Sequence, residues 1–460
     1  MSMLDDTILG KIVADKQQTL IELKQSRPLA SFINDVTESD RDFYSALRAI
    51  SPAFILECKK ASPSKGLIRE PFDLDEIAQA YLPWASAISC LTDSKYFQGC
   101  MAYLKQVRDQ VSQPVILKDF IIDSYQIYLG RLHGADATLL MLSVLTDDEY
   151  KPLADLAHQL GMGVLTEVST QDELERAIAL DAKVIGINNR DLRDLSIDLE
   201  RTVELGKQIP ADRIIVSESG IYTHQQVRDL HQTAHAFLVG SSLMSQPNVS
   251  RAASKLVLGE HKVCGLTRTE DAAAAFKAGA VYGGLIFAEK SPRCINTQQA
   301  RHVMAGAPLQ YVGVFVNHTP AQVAAIANEL KLSAVQLHGG EQPAHINELR
   351  QLLTDGIAIW KAHGVTDCLP EFDQWSVDRH LLDSRIGSQS GGTGTTFDWQ
   401  LLADVDVSNI MIAGGLNPQN AAQAAALNCA GLDFNSGVES APGIKDHNKI
   451  DSVFSALRHY

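Results

Sequence analysis

The sequence predicts an α/β protein made of two consecutive (β/α)8 barrels, the TIM-barrel fold, with an extra helical segment before the first barrel. Short apolar runs alternate with amphipathic stretches along the 460-residue chain, and this alternation is typical of a parallel sheet covered by helices. Eight runs lie between residues 53 and 239, and eight more lie between residues 261 and 434. Because eight strand–helix units close a barrel, the two counts predict two barrels.

The chain begins with a helical segment that extends to about residue 50. Leu9, Ile12, Val13 and Leu20 recur at helical spacing, and Pro28 interrupts the pattern. The predicted strands follow at 53–58, 86–91, 114–117, 137–142, 163–168, 183–187, 213–216 and 236–239, and then at 261–264, 282–287, 311–316, 334–337, 358–360, 380–382, 410–412 and 432–434.

The boundary between the two predicted domains, 1–255 and 256–460, lies within residues 251–260. Gly259 is a natural break between a helix and the next strand. No stretch rich in proline, glycine and serine separates the two halves, so we expect a short connection.

Composition excludes several classes of partner. The net charge of −15 disfavours nucleic acid and anionic membranes, and no apolar run approaches the roughly 18 residues that span a bilayer. The seven cysteines are scattered without a CxxC pair, which indicates neither a metal site nor a disulfide framework. We therefore expect a cytoplasmic protein without a metal, acting on small molecules.

Polar residues follow the apolar runs of the first half. A carboxylate and an ammonium at the end of a buried strand must be paired or used. An ion pair or a solvated loop explains any one of them, but the carboxyl ends of barrel strands share one rim. Their convergence therefore favours a site, and its members are Glu57, Lys59, Lys118, Asp119, Glu167, Asn188, Arg190, Glu218 and Ser219.

Two loops at this rim have the composition of a phosphate site. Ser219 and Gly220 precede one predicted helix, and Gly240 and Ser241 precede another. Free backbone N–H groups at helix starts bind phosphate, and the loops after strands seven and eight of a barrel often do so. Two ordinary capped helix starts are the alternative, yet the pair favours a phosphorylated substrate.

Five motifs of the first half resemble indole-3-glycerol-phosphate synthase over residues 5 to about 255. The resemblance implies ring closure, decarboxylation and dehydration of 1-(2-carboxyphenylamino)-1-deoxyribulose 5-phosphate, without a cofactor. The motifs are Glu-Cys-Lys-Lys-Ala-Ser-Pro-Ser (57–64), Leu-Lys-Asp-Phe (117–120), Leu-Thr-Glu-Val (165–168), Gly-Ile-Asn-Asn-Arg-Asp-Leu (186–192) and Ser-Glu-Ser-Gly-Ile (217–221).

The resemblance also implies roles for these residues. Lys118 matches the general acid and Glu167 a base or electrostatic group. Lys59 matches a lysine that binds the substrate carboxylate and takes part in proton transfer, with Glu57 as its acidic partner, and the sequence leaves open which lysine serves which proton step. Because a lysine of ordinary pKa is a poor acid at neutral pH, we expect burial and nearby cations to lower the pKa of Lys118. Substrate-binding positions match Asn188, Arg190 and Glu218, with Ser219, Ser62, Gly220, Gly240 and Ser241 beside the phosphate.

In the second half, Cys264 ends the first run and Asp383 ends the sixth. A packed thiol and a loop cap are the ordinary alternatives. At one barrel mouth, however, a thiolate and a carboxylic acid can move a proton between adjacent atoms. Small and polar residues suited to a second phosphate accompany them: Gly392, Gly394, Gly414, Gly415, Asn435 and Ser436.

These residues resemble phosphoribosylanthranilate isomerase over about 260 to 460. The resemblance implies an Amadori rearrangement with Cys264 as general base and Asp383 as general acid. Arg293, in Ser-Pro-Arg, matches the residue that recognises the anthranilate carboxylate, as a planar fork suits. Further matching motifs are Tyr-Val-Gly-Val-Phe-Val-Asn (311–317), Gln-Leu-His-Gly (336–339) and Ser-Gly-Val-Glu (436–439).

The whole chain resembles the fused synthase–isomerase of tryptophan synthesis found in enteric-type bacteria. We expect a monomer whose intermediate diffuses freely between the two sites. One alternative is a duplicated aldolase-type barrel, which needs a Schiff-base lysine in mid-strand, and Lys118 is the nearest candidate. The other is an inactive scaffold, which the retained Lys118, Glu167, Cys264 and Asp383 disfavour.

Overall fold

The computed structural model describes residues 7–191, 195–386, 389–390 and 396–458. The chain divides into two compact units, Met1–Ala253 and Ser254–Tyr460. Each unit contains a closed barrel of eight parallel strands that alternate with helices. The predicted fold class is therefore confirmed, including the helical segment before the first barrel.

The first barrel closes because β1 pairs in parallel with both β2 and β8. A short hairpin, Ala61–Ser62 with Gly66–Leu67, follows β1. The strands are β1 Ala53–Cys58, β2 Ala87–Leu91, β3 Val115–Lys118, β4 Ala137–Met141, β5 Gly163–Val168, β6 Val184–Asn188, β7 Ile214–Glu218 and β8 Ala236–Val239. The helices are α1 Ile8–Ser26, α2 Phe43–Arg48, α3 Leu74–Tyr81, α4 Ala102–Gln110, α5 Ser124–Leu132, α6 Asp147–Gln159, α7 Gln171–Ala179, α8 Glu200–Gly206, α9 His224–His231, α10 Ser241–Met244 and α11 Val249–Leu258.

The interior of this barrel is filled by side chains of alternate strand residues, as the two-residue period of a strand requires. Ile55, Leu139, Leu165 and Val216 belong to one buried cluster, and Leu9 of α1 joins it. Apolar side chains therefore fill the interior of the barrel, and the polar groups that end the strands lie above them.

The second barrel closes through pairing of β13 with β14. The strands are β9 Lys262–Val263, β10 Tyr282–Ile286, β11 Gln310–Phe315, β12 Ala334–Leu337, β13 Ala358–Val365, β14 Arg379–Ile386, β15 Ile410–Ile412 and β16 Gly431–Phe434. The helices are α12 Thr269–Ala278, α13 Thr297–Met304, α14 Pro320–Leu330, α15 Pro343–Leu352, α16 Ala421–Ala425 and α17 His447–Ala456.

Strands β13 and β14 are longer than the predicted 358–360 and 380–382. Their pairing continues from Trp360–Arg379 to Val365–Ser384, and the segment between them, 366–378, contains no helix. His363 of β13 and His380 of β14 are hydrogen-bonded at 3.0 Å, and both rings contact Phe372 of that segment. Polar histidines at strand positions hid the extension, because they broke the apolar pattern that marked the strands.

Candidate active sites

A cleft opens at the carboxyl ends of the strands of the first barrel. It encloses roughly 1180 Å³, including its open mouth. All of the site residues predicted for this half line it: Glu57, Lys59, Ser62, Lys118, Glu167, Asn188, Arg190, Glu218, Ser219, Gly220, Gly240 and Ser241. The structure therefore brings together residues that are as many as 184 positions apart in the chain.

Buried charges converge on Lys118 at the floor of this cleft. The Lys118 Nζ atom lies 3.3 Å from Glu167 Oε2 and 3.6 Å from Glu218 Oε2. The Asn188 amide donates to Glu167 Oε1 at 3.0 Å. Lys59 Nζ lies 2.5 Å from Glu57 Oε1. Each ammonium thus faces a carboxylate, which is the pairing that buried ions require.

The expected lowering of the pKa of Lys118 is wrong for this structure. Burial by itself lowers the pKa of this ammonium, but the negative charges of Glu167, Glu218 and Glu57 outweigh burial, and the net pKa is raised. The expectation placed cations beside Lys118, whereas its charged neighbours are carboxylates. Lys118 is therefore protonated before substrate arrives.

Glu218 is a carboxyl of the cleft whose pKa is strongly raised. Burial raises its pKa to about 8, opposed by Lys118 and reinforced by Glu167 and Glu57. Its Oε1 is buried without a hydrogen-bond partner among the described residues, and a Cβ at position 186 would lie 2.0 Å from that atom. Gly186 thus makes room for this carboxyl.

We predict that Glu218→Gln stabilises the first barrel. Between the unfolded pKa of 4.5 and the folded value of about 8, the folded state holds a proton that the unfolded chain releases, so wild-type stability falls as pH rises. The glutamine side chain does not titrate, so the variant has no such pH-dependent loss of stability. The gain is expected to grow from pH 4.5 to about 8 and then level off.

The measurement is the free energy of urea unfolding of the full chain at several pH values. Hydrogen exchange in peptides of β5–β7 reports the change within the first barrel. The exposed Glu204→Gln is the matched control and is expected to change nothing. A gain that does not depend on pH would contradict the raised pKa of Glu218.

The phosphate-type loops lie at the opposite side of the rim from β3–β5, after β7 and β8. Ser219 and Gly220 have φ of 68° and 80°, which turns the chain sharply after β7. Gly240 precedes α10, and a Cβ there would lie 2.5 Å from Glu57 Oε1. Ser242 Oγ donates to Ile221 O at 2.8 Å and ties the two loops together.

Lys16 is a residue of the rim that the sequence reading missed. This buried side chain of α1 lies 2.8 Å from Asp93 Oδ2 and 2.7 Å from Asp119 Oδ1. Asp119 lines the cleft as expected, and the helix α1 holds it there through Lys16. The signal was present, because Lys16 falls at helical spacing from Ile12 and Leu20 on the buried face.

The second barrel holds Cys264 directly after β9 and Asp383 within β14, both buried. His338 Nε2 lies 3.4 Å from Asp383 Oδ2. Asp383 Oδ1 is buried without a hydrogen-bond partner among the described residues. A Cβ at position 414 would lie 2.7 Å from it, so Gly414 lets the following loop approach this carboxyl closely.

Arg293 makes a planar two-bond contact with a carboxylate, but the partner belongs to the chain. Its Nε and Nη2 atoms donate to Glu439 Oε1 at 2.8 Å and Oε2 at 2.7 Å. Lys445 Nζ also donates to Glu439 Oε1, at 2.8 Å, and to Asn435 Oδ1, at 3.0 Å. Glu439 belongs to a motif of the sequence but was not predicted to have a role, and Lys445 was not predicted at all.

The second phosphate-type region is described in part. Gly414 and Gly415 have φ of 83° and 64° after β15, and Asn435 and Ser436 follow β16. The predicted Gly392 and Gly394 lie outside the described residues. Over the described ranges there is no group of three or more His, Cys, Asp or Glu placed to hold a metal ion. Among the same residues, no helix is long and apolar enough to cross a membrane.

Two (β/α)8 barrels, each with acid–base side chains at the carboxyl ends of its strands, define a two-site enzyme of proton-transfer chemistry. The family model of indole-3-glycerol phosphate synthase matches residues 9–256, and that of N-(5'phosphoribosyl)anthranilate (PRA) isomerase matches residues 261–456. The chain belongs to these two families, joined as a bifunctional enzyme of tryptophan biosynthesis with the synthase part first.

Full-length relatives carry the same pair. Tryptophan biosynthesis protein TrpCF of Vibrio cholerae is 62% identical over 98% of this chain and 96% of its own length. The proteins of that name from Vibrio parahaemolyticus and Yersinia pestis are 57% and 56% identical. They match 98% and 99% of this chain, and 94% and 95% of their own lengths. The resemblance seen in the motifs is thus confirmed along the whole chain.

Proposed function

We propose that domain 256–460 converts N-(5-phosphoribosyl)anthranilate to 1-(2-carboxyphenylamino)-1-deoxyribulose 5-phosphate, and that domain 1–255 converts that product to indole-3-glycerol phosphate. The observation that carries the proposal is the first cleft, where Lys118, Glu167 and Glu218 face phosphate-type loops across one mouth. The buried Cys264 and Asp383 of the second barrel support the preceding step.

In the synthase reaction, an aromatic ring carbon attacks the ribulose carbonyl carbon, and Lys118 gives a proton to the carbonyl oxygen. Lys59 holds the substrate carboxylate, which leaves as CO2 and returns its electrons to the ring. The new hydroxyl then leaves as water, and Glu167, oriented by Asn188, removes the proton that completes the indole. A substrate that draws the carboxylates away from Lys118 removes the charges that raise its pKa, and so makes it a stronger acid.

In the isomerase reaction, Asp383 gives a proton to the ribose ring oxygen, and the ring opens to an iminium ion. The Cys264 thiolate then takes the proton from the adjacent carbon, and the resulting enolamine becomes the aminoketose. The Oδ1 atom of Asp383 has no partner among the described residues, which leaves it available to substrate. Arg293 binds the anthranilate carboxylate, which must share or replace the contact with Glu439.

Phosphate binding is assigned to loops at the mouth of each barrel. In the first barrel these are Ser62 with Gly220, Gly240 and Ser241. In the second they are Gly414, Gly415, Asn435 and Ser436, with Gly392 and Gly394 as sequence-based candidates. We further propose a monomer in the cytoplasm. The seven free cysteines support a reducing compartment.

The aldolase alternative needs a neutral amine, because only an unprotonated lysine attacks a carbonyl. Lys118 ends β3 and its raised pKa keeps it charged. The geometry therefore favours an acid over a nucleophile at this position.

The proposal is tested by giving each phosphorylated substrate separately to the purified full chain. Both conversions are expected, each without added metal or cofactor. The appearance of the fluorescence of the indole product reports the synthase step. The loss of the fluorescence of the anthranilate substrate reports the isomerase step. Carbon–carbon cleavage of a sugar phosphate, or no turnover of either substrate, would overturn it.

A further inference from the structure

Lys262 is a fully buried lysine that the proposed chemistry leaves without a role. Its side chain has 0% exposure, and its Nζ lies 2.7 Å from Asp433 Oδ2. The strand register sets this contact, because Lys262 of β9 is paired directly with Asp433 of β16. A buried ammonium is costly even when paired, so its retention at this position needs a reason.

Cys264 lies on the same side of the chain as Lys262, since alternate residues of an extended segment face one way. A Cβ at position 284 of β10 would lie 2.6 Å from Cys264 Sγ and 3.0 Å from Lys262 Cε. The two side chains therefore converge above Gly284, which leaves the space they occupy. The Lys262 ammonium therefore lies close to the sulfur, where its positive charge lowers the pKa of the thiol.

Charged groups near Cys264 come from four segments, while β10 and β11 contribute Gly284, Ile286 and Val314. Lys262 approaches from β9 and Asp433 from β16. Arg293 lies on the loop after β10, and Lys445 on the short strand Ile444–Lys445. The bonds of Lys445 go to Glu439, Asn435 Oδ1 and Asn435 O, and Arg293 is held by Glu439. Lys262 is thus the cation that lowers the pKa of the Cys264 thiol most.

We propose that Lys262 is a positioning residue of the isomerase, whose buried ammonium, anchored by Asp433, stabilises the thiolate form of Cys264 that a general base requires. The inference rests on the proposed role of Cys264. Burial raises the pKa of the Cys264 thiol, Lys262 lowers it and Asp433 raises it again, and the net pKa lies above its ordinary value. The balance between the two partners decides how much thiolate exists at neutral pH.

This balance makes two substitutions act in opposite directions. Lys262→Met removes the cation and is expected to move thiolate formation about one to three pH units higher. Asp433→Asn removes the competing anion while Lys262 stays, and is expected to move it lower. A side chain that only supports the fold would not produce shifts of opposite sign.

The test is a pH titration of thiolate ultraviolet absorbance in the full chain, with the Cys264→Ala signal subtracted so that only Cys264 is seen. The acidic limb of the isomerase kcat/KM profile is expected to move with it in both variants. Lys361→Met is the matched control, because Lys361 is also buried and ion-paired, to Glu341 at 2.9 Å, without touching Cys264. It is expected to leave the titration in place.

An unmoved thiolate titration in a folded Lys262→Met protein overturns the inference, as does a shift of the same sign in both variants. If Lys262→Met fails to fold, the lowered titration of Asp433→Asn still decides the matter. The absorbance does not depend on turnover. Failure of the general-base role would therefore show separately, as isomerase activity that survives in Cys264→Ala.

Discussion

Lys118→Ala is expected to lower the synthase kcat/KM by about 10²- to 10⁴-fold, the usual contribution of a general acid, while isomerase activity is unchanged. The reason is the position of Lys118 in the cleft. Lys118 is the cation held between Glu167 and Glu218 at the cleft floor, and the carbonyl oxygen has no other assigned proton donor. Assay of both conversions in the same preparation measures the effect.

The alanine variant also leaves buried carboxylates without their cation, which destabilises a protein by itself. Lys118→Gln keeps most of the side-chain length and donates hydrogen bonds without being an acid, so it controls for packing. It is expected to lose activity as severely as alanine while unfolding closer to wild type. Synthase activity within tenfold of wild type in both variants would refute the assignment of Lys118.

Cys264→Ala is expected to lower the isomerase kcat/KM by about 10²- to 10⁴-fold and to spare the synthase. Cys264 is buried beside two lysines and one arginine, and a thiolate there is the base assigned to the proton on carbon. Cys264→Ser keeps the shape but has a far weaker acid–base group, so we expect it to resemble alanine.

Cys368→Ala is the matched control for loss of a thiol, because Cys368 is exposed in the same half of the chain. It is expected to retain both activities. The two experiments together separate the sites: each of Lys118→Ala and Cys264→Ala should abolish one conversion only. Loss of both conversions in either variant would indicate misfolding or a shared site.

The strand ends of the first barrel show why much of the site was predictable. A barrel places the residue after each strand on one rim, so local patterns suffice to place Glu57, Lys118, Glu167 and Glu218 together. No distance had to be known, because the topology supplies it. The same reasoning placed Cys264 and Asp383 at the second mouth.

Electrostatic details were not predictable in the same way. Lys118 was expected beside cations and has carboxylates as neighbours. Asp119 follows Lys118 in the chain, yet it pairs with Lys16 of α1, 103 positions away. Arg293 was expected to face substrate and meets Glu439. Each depends on side-chain direction across elements, which a strand pattern does not contain.

The amino-acid sequence by itself determined the two barrels, their order and the chemical types at each rim, since these follow from hydrophobic periodicity and from the residues that end each strand. Only the tertiary structure decided which charges touch. It set Glu218 against Lys118, Lys16 against Asp119 and Lys262 between Asp433 and Cys264. The physical reason is that pKa and pairing depend on distances of a few ångströms and on burial, and these arise only when distant strands pack.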